Sequence, residues 1–232
     1  MFTGIVQAVA VIAAIDDRTG LRSFSIDFPP GFCEGLAIGA SVAVDGVCLT
    51  VTRIASPVRA SFDVMQQSLA VTTLGRYAVG TRVNVERAAR EGAEIGGHPL
   101  SGHVDCVGEL IAVRAQENNL VWRIAVPPSH RRYVFARGYI AVHGASLTIA
   151  ECDRAAGWFE VWLIPETRRA TVFEGKRAGD ALNIEVERST QVMVDTVRDA
   201  VAEQLGPLKP LLDQWLAEHG RSLDELAPHV PR

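Results

Sequence analysis

Runs of about five to eight β-favouring residues, broken by turn signals every eight to twelve or so, fill most of the first 188 positions. That rhythm predicts short strands closing into small barrels. The clearest case is 43–51, where Asp45-Gly46 divides two apolar arms and predicts a tight hairpin turn. The same pattern returns at 141–149 with His143-Gly144 at its centre, and His tolerates the left-handed region well enough for the turn to survive. A turn position predicts a solvated His143. Helix signals are few. One short helix is expected after each Pro-Pro, at 31–38 and 129–136, the second capped by Ser129. Beyond 188 the period changes. Val194, Val197, Val201 and Leu205 form a helical stripe, with Ser189 or Thr190 as cap. A second helix is expected at 208–218 before Gly220, and Ser222 to Glu225 has the form of a capping box.

The pattern repeats. Positions 2–15 lie over 100–113, 29–44 over 127–142 and 42–51 over 140–149, all at an offset of 98 residues. SFDV at 61–64 lies over WFEV at 158–161 (offset 97), and GTRVNVE at 80–86 over GDALNIE at 179–185 (offset 99). A period this long exceeds that of solenoid units and means a duplicated domain. The expected organisation is one copy at 1–97, a second at 98–188 and a helical tail at 189–232, with Gly96-Gly97-His98-Pro99 as the junction.

Composition narrows the function classes. The chain has 232 residues, 48% hydrophobic and 22% charged, which is an ordinary globular balance. A net charge of −4 without basic runs disfavours nucleic-acid binding. No apolar stretch reaches 18 residues, so no membrane span is expected, and the N-terminus lacks the basic region of a signal peptide. Cys33, Cys48, Cys106 and Cys152 show no CxxC spacing, which argues against a zinc site and fits reduced thiols in a cytoplasmic protein.

Five strings carry a family resemblance: MFTGIV at the N-terminus, GVCLTV at 46–51, EIGGHPLSGHVD at 94–105, GASLTI at 144–149 and LIPET at 163–167. In order and spacing they resemble riboflavin synthases of the α, trimeric type. The resemblance implies an all-β fold with a C-terminal helix: two homologous six-stranded Greek-key barrels, each binding one lumazine. It implies a homotrimer joined by the tail, with the active site between the N-terminal barrel of one subunit and the C-terminal barrel of its neighbour. It also brings lumazine synthase in as a candidate partner. The family reaction is a dismutation in which two molecules of 6,7-dimethyl-8-ribityllumazine exchange a four-carbon unit. Riboflavin and 5-amino-6-ribitylamino-uracil result, with no redox cofactor and no metal. Two like reactants suit two like pockets, and much of the gain is positional.

By the same resemblance, Gly4, Ile5, Val6, Val47, Cys48, Leu49, Thr50, Asp63, Val64, Met65, Gln66, Gln67 and Ser68 line the N-terminal pocket. Gly102, His103, Val104, Arg137, Ser146, Leu147, Thr148, Ile164, Pro165, Glu166 and Thr167 line the C-terminal one. The catalytic set is Cys48, His103, Ser146, Thr148 and Glu187. The repeat sets Cys48 against Ser146 and Ile5 against His103, the kind of exchange that would separate donor from acceptor. Each candidate has a plainer alternative. A strand Cys is usually a small core hydrophobe, and Ser and Thr often only bond backbone. His103 has a reference pKa suited to proton transfer, whereas His98 reads as structural. Trp158 and Trp162 read as core or pocket lining.

The chain departs from the family pattern in a few places. Arg137 stands where Lys is common, a fork in place of a point donor. Glu187 stands where Asp is common, Gln67-Ser68 where Glu-Thr is, and 170–174 reads ATVFE. The alternative function is a non-catalytic lumazine- or flavin-binding paralogue. A flavin reductase is disfavoured, since 131–134 is not an R-x-Y-S motif and no G-x-G-x-x-G occurs.

Overall fold

The computed structural model describes residues 1–222. The first barrel contains β1 (Ala8–Arg18), β2 (Leu21–Asp27), β3 (Ser41–Val44), β4 (Val47–Ser56), β5 (Arg59–Met65) and β6 (Arg82–Arg87). They close antiparallel in the order β1-β2-β5-β4-β3-β6. Strands β3, β4 and β5 follow one another and β6 returns beside β3, which is a Greek key. The second barrel repeats this with β7 (Cys106–Gln116), β8 (Asn119–Ala125), β9 (Tyr139–Val142), β10 (Ala145–Asp153), β11 (Trp158–Leu163) and β12 (Ala181–Val186). Closure leaves no free sheet edge. One bulge each in β1 (Ile12/Ala14) and β7 (Leu110/Ala112) adds bend at the same point of both copies.

Alternate residues of each strand fill the barrels. Ile12, Phe24, Val51 and Phe62 in one core, and Leu110, Trp122, Ile149 and Val161 in the other, are fully or nearly fully buried. A ring such as Phe62 is worth about 3–5 kcal/mol when truncated to Ala. Helix α1 (Gln66–Val71) follows β5 and α2 (Pro165–Ala170) follows β11. Neither was expected. The helices expected after Pro-Pro are weaker than supposed. Residues 31–35 form turns only, and Pro128–Tyr133 is a 3₁₀ turn capped by Pro127, so Ser129 lies inside it.

The register corrects one alignment. Val51 pairs with Phe62 in the first barrel and Ile149 with Val161 in the second, so Phe62 corresponds to Val161 at an offset of 99. The offset of 97 over SFDV and WFEV is a two-residue slip. Such a slip preserves the in/out alternation of a strand, which is why it was invisible in the pattern.

Both hairpin turns form as expected: Asp45 and Gly46 have φ of 43° and 81°, His143 and Gly144 of 44° and 78°. Their surroundings overturn one expectation, because His143 is completely buried. The two turns meet tip to tip. A Cβ on Gly46 would lie 2.8 Å from the Gly144 nitrogen, and the reverse substitution would meet the same distance. Polar groups lock the joint. Asn84 donates to the His143 carbonyl (3.0 Å), and Asn183 donates to that of Asp45 (2.9 Å). Their side-chain oxygens accept from the Val172 and Thr73 amides across the joint, both at 2.8 Å. The Asp45 carboxylate accepts from the Asn84 amide (2.7 Å) and the Tyr77 hydroxyl. Burial pushes Asp45 up to about 6 against those donors, and burial holds His143 well below its ordinary value.

Residues from 188 form a separate unit. Helix α3 (Arg188–Leu205) begins just before the expected caps, and α4 (Lys209–Glu218) follows a 3₁₀ turn at Gly206–Leu208. The stripe residues Val197, Val201 and Leu205 are all more than half exposed in the single chain. The capping box at 222–225 runs outside the described residues.

Candidate functional site

The geometry begins with two crossed segments. Residues 1–7 precede β1, and the equivalent stretch before β7 runs from about 98 to 105. Phe2 and Leu100 form an antiparallel bridge, exchanging backbone bonds of 2.8 and 2.9 Å. From it the segments diverge, each to the other barrel. The Gly4 carbonyl accepts from the Ser146 amide of the second barrel, and the Gly102 carbonyl accepts from the Cys48 amide of the first, both at 2.8 Å. Val6 packs on the second core and Val104 on the first. The expected pocket pairing is therefore corrected. Gly4, Ile5 and Val6 accompany Ser146, Leu147 and Thr148, while Gly102, His103 and Val104 accompany Cys48, Leu49 and Thr50. Linear order could not reveal this, since each segment adjoins its own barrel in sequence.

The crossing needs glycine. Gly4 (φ 76°) would place a Cβ 2.5 Å from that of Ser146, and Gly102 (φ 77°) one 2.6 Å from that of Cys48. Two buried glutamates, absent from the expected site, hold the segments. Glu86 of β6 accepts from the Thr3 amide (2.6 Å), the Thr3 hydroxyl (2.7 Å) and the Gly4 amide (3.1 Å). Glu185 of β12 accepts from the Ser101 amide and hydroxyl (2.7 Å each) and the Gly102 amide (3.1 Å). Burial raises the pKa of both, and these donors oppose the rise.

Around Cys48, strand alternation turns Thr50, Asp63 and Met65 outward and Val47, Leu49 and Val64 into the core. The last three, like Leu147, can offer a ligand only backbone. Asp63 accepts from Ser23 (2.6 Å). Gln66, Gln67 and Ser68 open α1 at the end of this face, as Pro165, Glu166 and Thr167 open α2 on the other. Glu166 is engaged by Arg169 (2.6 Å).

Around Ser146, the outward row is Thr148, Trp162 and Ile164. Trp158 is instead covered by the Arg123 guanidinium, 3.9 Å from the ring centroid. His98, read as structural from sequence, lies against the site: its Nδ1 is 2.6 Å from the Ser146 hydroxyl. Its ring stacks on Tyr139 (centroids 5.3 Å apart, 18° between planes), and Tyr139 pairs with Thr148. Burial lowers the His98 pKa, and the charge of Glu187 opposes this. A neutral imidazole beside a hydroxyl is a proton acceptor at neutral pH. His103 is exposed, its amide bonded to the Ser101 hydroxyl (3.2 Å). Arg137 has φ of 69°, its amide bonded to the Ile149 carbonyl (2.7 Å) and its side chain exposed. Among the thiols, burial raises Cys33 and pushes Cys106 up to about 12, which leaves them poor nucleophiles.

Residues 3–88 and 101–187 each match the lumazine binding domain family. Riboflavin synthase of Escherichia coli (strain K12) is 41% identical over 203 residues, covering 87% of this chain and 94% of that one. The riboflavin synthase of Chlamydia pneumoniae is 40% identical over 202 residues, 87% and 98% of the two chains. Among solved structures, LumP complexed with riboflavin superposes with a TM-score of 0.75 at 26% identity, covering 81% of this chain and all of that one. LumP complexed with 6,7-dimethyl-8-(1'-D-ribityl) lumazine gives 0.73 at 25% over the same extents.

Proposed function

The chain belongs to the riboflavin synthase family of lumazine-binding proteins, and on that footing we propose that it converts two molecules of 6,7-dimethyl-8-ribityllumazine into riboflavin and 5-amino-6-ribitylamino-uracil. One reactant rests on the Cys48 flank, under Gly102, His103 and Val104. The other rests on the Ser146 flank, under Gly4, Ile5 and Val6. The backbone of these segments and of β4 and β10 holds the pteridine edges, with Asp63 to Ser68 and Ile164 to Thr167 reaching the rest of each ligand. The acceptor loses a proton from its C7 methyl group, and the donor is attacked at its C7. His98, polarised by Glu187 and bonded to Ser146, is suited to proton transfer. Thr148 orients groups beside it, and His103 and the Cys48 thiol do so on the other flank.

The single observation that carries this reading is the hydrogen-bonded His98–Ser146 pair at one of two equivalent flanks. It supplies a base where a pure binding protein needs none. The reactive pair is completed by a neighbouring copy. Gly4 and Gly102 leave the Phe2–Leu100 bridge in opposite directions, which separates the two flanks of one chain by roughly 13 Å of strand length. Stacked heterocycles must approach far closer. The exposed stripe on α3 supports association into the homotrimer, and the exposed Arg137 side chain offers a charged donor at the C-terminal pocket. We place the protein in the cytoplasm with the rest of its biosynthetic chemistry, where lumazine synthase would deliver substrate.

Mixing the purified protein with 6,7-dimethyl-8-ribityllumazine alone should give riboflavin absorbance and fluorescence, with half the substrate recovered as the pyrimidine product. Tight binding without turnover would instead favour the non-catalytic paralogue.

A further inference from the structure

The two glutamates that hold the crossed segments have a consequence for each site. Glu86 (3% exposed) and Glu185 (4% exposed) stand at equivalent positions, opposite Ala43 and Ala141. Their bonds agree within 0.1 Å: one oxygen takes an amide and a hydroxyl, the other takes the next residue's amide. The hydroxyl relays the constraint one step on, since Thr3 and Ser101 each accept from the amide two residues later (3.2 Å). Each carboxylate thus fixes three consecutive residues of a segment whose glycine carbonyl is bonded to the opposite barrel.

We propose that Glu86 and Glu185 are crossed positioning residues. Glu86, on the first barrel, sets the Ser146 flank of the second through Gly4. Glu185, on the second barrel, sets the Cys48 flank of the first through Gly102. Neither carboxylate touches the proposed ligands, as both are consumed by the segment they hold. Changing one should therefore disturb a single site, and that site lies on the barrel that was not changed. Where ligand is concerned, the inference rests on the proposed function. The crossing itself does not.

Glu185→Gln and Glu86→Gln separate these cases. A glutamine keeps the shape, but its NH₂ faces the glycine amide that the lost oxygen accepted. Cys48 reports on its own flank. In ligand-free protein, site-resolved mass spectrometry after iodoacetamide treatment should show Cys48 alkylated about tenfold faster in E185Q than in wild type, the scale expected for losing one charge-assisted hydrogen bond. E86Q should alkylate Cys48 at the wild-type rate. Buried Cys33 and Cys106 control for general loosening and should stay unreactive in both variants. If E185Q fails to fold, Ser101→Ala against Thr3→Ala makes the same comparison. Equal acceleration in both variants, acceleration in E86Q alone, or none in E185Q would overturn the crossing. Added riboflavin should protect Cys48 in E86Q and lose that effect in E185Q. If riboflavin fails to protect wild type while the ligand-free rates differ as stated, the assigned ligand is wrong and the crossing stands.

Discussion

The Cys48 flank and the Ser146 flank share one backbone plan and carry different chemistry on it. Each strand residue's amide donates to a glycine carbonyl at 2.8 Å, each glycine sits in the left-handed region, and each segment hangs from a buried glutamate. At matching outward positions the side chains part. Ser41 opposite Thr50 becomes Tyr139 opposite Thr148. Asp63 becomes Trp162 once the register is set by Val51–Phe62 and Ile149–Val161. Cys48 becomes a serine bonded to His98. One flank carries a thiol and a carboxylate, the other a hydroxyl with an imidazole stacked on a phenol ring. A duplicated scaffold can keep one main-chain plan on both flanks and still present different chemistry on each, because the outward side chains are free to differ where the buried ones are not.

Three experiments bear on this contrast. The largest effect should come from the imidazole. His98→Gln and Ser146→Ala should each lower kcat about a thousandfold, as for loss of a proton-transfer group. The double variant should be scarcely worse, since the two act as a unit. Cys48→Ala should retain activity within about tenfold of wild type. Steady-state riboflavin formation measures all four, and a Cys48→Ala enzyme as slow as Ser146→Ala would erase the distinction between flanks.

Next is the joint, where Asp45 and His143 occupy equivalent turns with opposite preferences. A carboxyl raised from 3.8 to about 6 is held more tightly as the acid in the folded state. Its contribution is thus fully present below pH 3.8 or so and lost as pH rises through 6. His143, with its pKa lowered, works the other way, giving up stability as pH falls below its ordinary range. Asp45→Asn removes only the first effect. Its stability relative to wild type should improve by about 2 kcal/mol between pH 4 and pH 7, measured by urea denaturation across that range. A flat difference would mean that Asp45 titrates normally.

The smallest effect concerns Gly39 (φ 86°) and Arg137 (φ 69°), which take equivalent places in the two barrels. Open space surrounds Gly39, so Gly39→Ala should cost only the left-handed strain, about 1 kcal/mol. Arg137→Ala, already strained, should change stability by less than about 0.5 kcal/mol. Thermal unfolding would resolve the pair.

Much of the architecture was legible because duplication writes itself twice. The turns at 45–46 and 143–144, the strands flanking them and both tail helices follow from local pattern. The site was less legible, for a physical reason: its assembly is non-local. Nothing near Gly4 indicates that it ends beside Ser146, 142 residues on by number. His98 looked like linker because its partner lies on another strand. A usable signal did exist for the glutamates. NVE at 84–86 and NIE at 183–185 keep both polar residues in otherwise apolar strands. A carboxylate retained twice within a core-forming run marks a buried acceptor. For His143 the turn itself was read correctly, but local sequence could not tell that a second turn would cover it.

The tip-to-tip meeting of Gly46 and Gly144 limits how this molecule can change. What a side chain at either glycine would strike is main chain, so no mutation on the opposite turn can make room for it. The outer surfaces of the barrels are open to gradual trial, one residue answering another, while the joint admits no such negotiation. New specificities should therefore arise by re-dressing the flanks, with the two halves keeping the same mutual orientation throughout the lineage.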